Sequence, residues 1–228
     1  MTLRSLAIRL LFGCLLATIA TAEAALAGGP VEVRIVRNGE HFALHRGGKP
    51  YRIRGAGISG GDLREFARQG GNSIRTWNTH TPTQTGQQIL DEAHALGVTV
   101  ALCIHIERER DAFDYDDEAA VTRQFERVRR EVLAYKDHPA LLAWIIGNEM
   151  NFDYTNPRVF DAVNDISRMI HAIDGKHPTT TTLAGYPAPL ARVLEERAPD
   201  LDFISLQLYK TLLISRNCYS WDHRTSPT

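Results

Sequence analysis

Cysteine is scarce, with three in 228 residues, and Cys14, Cys103 and Cys218 stand too far apart for a metal-ligand spacing or a dense disulfide framework. Charge of one sign is lacking as well. The formal net charge is −1, which gives no electrostatic footprint for nucleic acid or an anionic membrane surface. Long apolar runs are missing too: the stretch 10–20 falls short of the roughly 20 residues that span a bilayer, so no stable membrane anchor is expected. The sequence carries no signal for oligomeric state.

The N-terminus has a different purpose. Arg4 and Arg9 precede that apolar stretch, and small residues follow at Ala22-Glu23-Ala24 and Ala25-Leu26-Ala27. A positive region, an apolar region and two overlapping small-residue cleavage choices read as a secretory signal over 1–27, hence a secreted or periplasmic protein. Leu11-Phe12-Gly13-Cys14 is a poor lipid-attachment site, because too little apolar chain separates Arg9 from Cys14. Without the leader the formal charge becomes −2.

What is present centres on residues 141–150, Leu-Leu-Ala-Trp-Ile-Ile-Gly-Asn-Glu-Met. An apolar run without polar alternation, set between helical patterns, is the signature of a parallel strand buried on both faces. Polar residues at its carboxyl end are site candidates, because the loops at that edge converge on one mouth. Glu149 is the first of them.

Upstream, residues 31–46 alternate apolar and polar around Asn38-Gly39, which predicts a β-hairpin covering one end of the strand–helix domain after it. His41 and His45 share a face of its second strand, but a pair without a third ligand reads as surface. From Pro50 the chain repeats strand then helix, with strand starts near Tyr51, Asn72, Val98, Ala140, Pro178 and Leu201. Val121, Phe125, Val128, Val132 and Tyr135 fall on one helical face, and so do Phe160, Val163, Ile166, Ile170 and Ile173. Asn156 is the expected N-cap of the second helix, with Pro157 at its first position and Gly175 as its stop. The repeat is about 30 residues, that of a (β/α)8 barrel, and six units fit. Beyond Tyr209 neither a helical face nor a seventh strand is legible.

Gly55-Ala56-Gly57-Ile58-Ser59-Gly60 matches a dinucleotide fingerprint, yet Tyr-Arg-Ile-Arg before it is no central strand. No acidic residue ends the following strand to hold a ribose. Cys103 lies in a strand and reads as a small hydrophobe, and Trp144 as packing. Arg75, Trp77, Asn78 and His80 follow the second strand at the same mouth as Glu149, where an indole face suits a pyranose ring and a guanidinium a carboxylate. The acidic stretch 107–118 reads as a solvated loop in which Glu107 and Glu109 lie near the mouth and Asp114-Tyr115 could reach substrate.

Four motifs in order, Arg54-Gly55-Ala56-Gly57, then Gly71-Asn72-Ser73-Ile74-Arg75-Thr76-Trp77, then Trp144-Ile145-Ile146-Gly147-Asn148-Glu149, then Asp202-Phe203-Ile204-Ser205-Leu206-Gln207-Leu208-Tyr209, resemble the catalytic TIM barrel of glycoside hydrolase family 2. The resemblance implies retaining cleavage of O-glycosidic bonds in an oligo- or polysaccharide or glycoside, without metal or organic cofactor. It makes Glu149 the acid/base, Asn148 the holder of the sugar 2-hydroxyl, and Arg75 and Tyr209 supports of the nucleophile. That nucleophile is a Glu ending the family's seventh strand. Only the first of the two carboxyls, about 5–5.5 Å apart in a retaining site, is legible here. The expected layout is a signal peptide over 1–27, a β-hairpin over 28–49, an incomplete (β/α)8 domain of about six units over 50–210, and an irregular tail over 211–228. A C-terminally truncated glycosidase of impaired activity is the expectation, and a non-catalytic carbohydrate-binding protein or inactive relic the alternative.

Overall fold

A computed structural model describes residues 28–58 and 60–208. The expected leader, Cys14, Tyr209, Cys218 and the expected tail lie outside these residues. The described part contains an antiparallel sheet, β1 (Val33–Asn38), β2 (His41–Arg46) and β3 (Lys49–Pro50), followed by a parallel one. The parallel sheet comprises β4 (Gly55–Gly57), β5 (Ser73–Arg75), β6 (Thr99–Ile104), β7 (Leu141–Asn148), β8 (Thr179–Ala184) and β9 (Phe203–Gln207), hydrogen-bonded in chain order. Helices α1 (Leu63–Arg68), α2 (Gly86–Ala95), α3 (Glu118–Tyr135), α4 (Arg158–Ile173) and α5 (Ala188–Arg197) connect successive strands, α1 between β4 and β5 being only six residues long. Sequential parallel order with covering helices is the barrel pattern, six of its eight strands, rather than the doubly wound one.

Local chemistry explains these boundaries. β7 is buried from Leu141 through Gly147, so its unbroken apolar run has core on both faces. In α4, Phe160, Val163, Ile166 and Ile170 are buried, the helical spacing read from sequence. Its first helical residue is Arg158, one later than expected, with Pro157 in the cap position; the Asn156 side chain still accepts from the Arg158 N–H at 3.1 Å. Helix α2 starts with a full capping box between Thr85 and Gln88.

Two expectations need correction. The N-terminal hairpin gains a third short strand, β3, across the Gly47-Gly48 turn. The first parallel strand is Gly55–Gly57 and not the Tyr51 stretch. Arg52 and Arg54 alternate with other residues as a strand would, but they are exposed. The glycines pair instead because a Cβ at Gly55 would stand 3.1 Å from the Ser73 carbonyl, and one at Gly57 2.7 Å from the Trp77 ring.

The antiparallel sheet covers the amino edge of the parallel one. The Val33 N–H donates to the Lys176 carbonyl at 2.8 Å, Arg46 Nη2 to the Pro139 carbonyl at 2.7 Å, and the Tyr51 hydroxyl to the Asn72 carbonyl at 2.8 Å. All three acceptors lie within three residues before a parallel strand. None of these three contacts is made at the carboxyl edge.

Two polar clusters brace the amino edge. Trp144 Nε1 donates to the Asp174 carboxylate at 2.6 Å, and His177 Nδ1 lies 2.8 Å from it. Trp144 is thus packing, as read from sequence, with its one polar atom satisfied. Nearby, His171 Nε2 lies 2.9 Å from Asp202 Oδ2, which also accepts from the Thr179 N–H at 2.7 Å. The hydrogen bond to Asp202 raises the His171 pKa against the opposing effect of burial. Burial alone would push the Asp202 carboxyl up, but the His171 and Thr179 hydrogen bonds outweigh it and hold it below the usual range.

Asp174→Ala strands the Trp144 N–H inside the core and should cost about 2 kcal/mol or more, read as a lower urea midpoint at unchanged slope. The His171–Asp202 pair gives a pH dependence. A raised histidine contributes fully below its unfolded value and loses that contribution as pH rises through the folded one; a lowered aspartate contributes above its unfolded value and loses it as pH falls. The pair is therefore worth most between about pH 4 and pH 6.5. Being partly exposed, it contributes less than about 1 kcal/mol. The thermal-midpoint difference between the native chain and His171→Gln should be largest near pH 5.5 and shrink toward pH 9.

Candidate functional site

The site is built where β7 stops being regular. Its pairing with β8 shifts register between Ile145 and Asn148, a bulge of the kind that re-aims side chains at strand ends. Gly147 has φ +71° and Glu149 φ +55°. The first is natural for glycine; the second is left-handed backbone that costs a side-chain-bearing residue about 1–2 kcal/mol and persists only where the surroundings enforce it.

The enforcing contacts are specific. The Glu149 N–H donates to the Thr182 carbonyl at 2.7 Å, and the Phe152 N–H donates back to the Glu149 carbonyl at 3.1 Å. Arg110 Nη1 reaches the carbonyls of Glu149 and Phe152 at 3.0 and 3.2 Å, spanning the turn. Asn151 makes a two-way amide pair with the Ala184 backbone at 2.8 and 3.1 Å. Glu109 takes the N–H groups of Thr155 and Asn156 at 2.7 and 2.9 Å, which lowers its pKa, the Asn156 bond contributing most. The loop after β7 is thus bolted to the loop after β6 and to β8.

Asn148, the last residue of β7, collects the other strand ends. Its Oδ1 accepts from Arg75 Nη2 at the end of β5 and from Gln207 Nε2 at the end of β9, the latter at 2.9 Å. The Arg75 guanidinium also lies 5.1 Å from the Trp77 ring centre. Cys103, buried beside Arg75, has its thiol pushed up to about 12 by burial, a structural cysteine as its strand position implied.

The sequence candidates divide accordingly. Glu149, Asn148 and Arg75 come together at the carboxyl edge, half-buried. Trp77 is 39% exposed on the same rim. Asn78 turns its side chain to the Thr79 N–H at 2.8 Å, and His80 is exposed; among the described residues neither hydrogen-bonds to the Asn148 cluster. Tyr209 lies outside the described residues. Tyr115, expected to reach substrate, is instead buried, with its hydroxyl donating to the Glu107 carbonyl. Gln207, Arg110, Asn151 and Phe152 were not legible as site residues. Gln207 alone had a signal, its place at a strand end within the last of the four motifs. Among the described residues no group of three histidine, cysteine or acidic side chains is placed to hold a metal, and no helix is long and apolar enough to cross a membrane. A separate groove between α3 and α4, walled by Val121, Phe125, Ile166 and Met169, contains none of the strand-end residues.

With strand order and strand-end chemistry in place, the comparisons are decisive at the family level. Residues 68–213 match "Glycosyl hydrolases family 2, TIM barrel domain". The chain belongs to glycosyl hydrolase family 2. The fold of this family 2 chain is also that of solved glycosidases. It is similar to the Parabacteroides merdae β-glucuronidase (16% identity, 78% of this chain, TM-score 0.54). It is similar as well to a family 2 member from Bacteroides cellulosilyticus (19%, 76%, 0.54) and the β-1,4-D-mannanase of Cryptopygus antarcticus (15%, 78%, 0.56). The chain spans 23% of the first of these, 24% of the second and 71% of the mannanase. No curated protein sequence matches it. At these identities the structural likeness establishes the fold.

The bulge generates a prediction for this family 2 chain. A Cβ at Gly147 would meet Met150 and Ile106 at 2.7–2.8 Å in a left-handed conformation. Gly147→Ala should cost at least about 2 kcal/mol in urea unfolding, far more than alanine at the freely exposed Gly39 turn.

Proposed function

We propose that this chain carries the acid/base half of a retaining glycoside-hydrolase site, with Glu149 protonating the leaving glycosidic oxygen. The observation that carries the reading is the placement of Glu149 at the carboxyl end of β7, one residue beyond an asparagine held by Arg75 and Gln207, within a family 2 barrel domain. The chemistry follows from the geometry. Alkoxide sugars are poor leaving groups, so a proton delivered as the bond breaks lowers the barrier, and a carboxyl on a rigid turn delivers it from a fixed direction. Asn148 presents an amide whose oxygen accepts from Arg75 and Gln207, which fixes the side chain at the strand end where a sugar hydroxyl would bind. Arg75 supplies positive charge beside the place where the second carboxylate works. In the family that carboxylate ends the seventh strand, and none of the six described parallel strands is assigned to it.

Neighbours of this fold are named as a β-glucuronidase and a β-1,4-D-mannanase. The substrate class proposed here is accordingly a β-linked glycoside, encountered outside the cytoplasm if the 1–27 leader acts as read.

Glu149→Gln tests the role of the proton. In hydrolysis of alkyl glycosides it should lower turnover by about 10²–10⁴, while saccharide binding persists, because the amide fills the same space without an acidic proton. Turnover unchanged in the variant would sink the assignment. Saccharide binding without hydrolysis by the native chain would favour the carbohydrate-binding alternative.

A further inference from the structure

Beyond Glu149 the mouth holds two aromatic rings built alike. Trp77, two residues past β5, is 39% exposed, and Phe152, four residues past β7, is 52% exposed. Isolated exposed apolar side chains are ordinary. These two are held at the mouth by more than the neighbouring guanidinium, which exposed Phe42 on the hairpin also has from Arg37. Each has a guanidinium 5.1 Å from its ring centre, Arg75 for Trp77 and Arg110 for Phe152. The far edge of the Trp77 indole closes against Gly57, where a Cβ would stand at 2.7 Å. The Phe152 backbone is held at both its N–H and its carbonyl, by Glu149 and Arg110. A ring held in place by its own backbone and a cation, yet left in water, forgoes burial that a mobile loop residue could have found.

We propose that Trp77 and Phe152 are a pair of stacking platforms for an uncharged linear oligosaccharide, so that the site takes a run of several sugar rings rather than one. The inference rests on the glycosidase reading and names its substrate class. Strand β6 separates β5 from β7, so the two platforms start from strand ends about 10 Å apart, too far for one pyranose to cover both. Pyranose rings present C–H faces that pack on aromatic faces and hydroxyl edges that do not, which suits rings spaced along a rim with polar groups between them. Arg75 and Arg110 direct donors at the Asn148 oxygen and at two main-chain carbonyls. The same loops carry the carboxyl groups of Glu149 and Glu109 to set against these two guanidiniums, so the rim offers a ligand ring face without a net excess of positive charge, which argues for a neutral chain over an acidic one. Arg110 further couples the Phe152 platform to the acid, since one guanidinium nitrogen holds the carbonyls of both residues.

The test is calorimetric titration of the full chain with mannohexaose and cellohexaose as neutral probes, hexagalacturonate as an acidic probe, and the methyl glycosides as single rings. A neutral hexasaccharide should bind at least about tenfold more tightly than its methyl glycoside. Phe152→Ala should remove about tenfold of that difference, leave the methyl glycoside unchanged, and be rescued by Phe152→Tyr; Trp77→Phe should retain most of the affinity. Phe152 being exposed, the variant's urea midpoint should match the native one, which separates a lost platform from a lost fold. Hexasaccharide affinity unmoved in Phe152→Ala, or equal to that of the single ring, overturns the platform while leaving the glycosidase reading intact. Preference for hexagalacturonate overturns the neutral class. Binding of none of these probes overturns the platform and the glycosidase reading together.

Discussion

One oxygen atom fixes the shape of the molecule's working edge. The Asn148 side-chain oxygen takes a donor from Arg75 and another from Gln207, residues on strands that stand two places to either side of β7. In a flat sheet those strands would lie about 10 Å away on each side, and together span nearly 20 Å. Meeting at one atom requires the three side chains to lean toward each other over one face at the carboxyl edge, a convergence that the inward curl of a barrel favours. The contact also orients the amide, because an oxygen held by a guanidinium and a second amide leaves the asparagine NH2 directed away from both. The joining of the strand ends and the sugar recognition proposed for Asn148 thus involve the same side chain.

The two edges of the parallel sheet divide their tasks in consequence. At the amino edge, the three-stranded sheet covers the strand starts, and Asp174 sits fully enclosed between Trp144 and His177. These contacts hold the frame and offer nothing to a ligand. At the carboxyl edge the polar contacts are between loops, and they leave side chains such as Trp77 and Phe152 in water. This is the distribution expected when stability is supplied at one end of the strands and chemistry at the other.

How much of this could be read from the sequence obeys the same division. The starts of β5 to β9 were legible to within two residues, because strands buried on both faces and helices with one apolar face leave strong periodicities. β4 was misplaced because its pairing depends on the absence of side chains at Gly55 and Gly57, and a pattern of apolar residues carries no trace of that. Glu149, Asn148 and Arg75 were legible because they end strands, where position alone implies the mouth. Gln207 occupied an equivalent position and was passed over, since an amide has no chemistry that marks it. Arg110, Asn151 and Phe152 lie in loops, where only the folded path of the chain decides who meets whom. Tyr115 misled for the opposite reason: it looked like a loop aromatic, but its ring belongs to the core and its hydroxyl serves a backbone carbonyl.

The strained backbone at Glu149 ties the fold to the chemistry. A left-handed glutamate costs about 1–2 kcal/mol, and an unconstrained loop would relax to avoid it. Here the relaxation is blocked from three directions: by Thr182 on β8 at its N–H, by Arg110 at its carbonyl, and by the Asn151 clasp on Ala184 two residues later. Each of these bonds contributes on the order of 1 kcal/mol, so together they outweigh the strain. Relaxing the turn would mean breaking several at once. The carboxyl is therefore carried on a peptide that cannot swing independently of β7 and β8. In the role proposed for Glu149 a proton donor gains from that, because the catalytic worth of a group held in one geometry is the entropy it no longer has to lose when the substrate arrives.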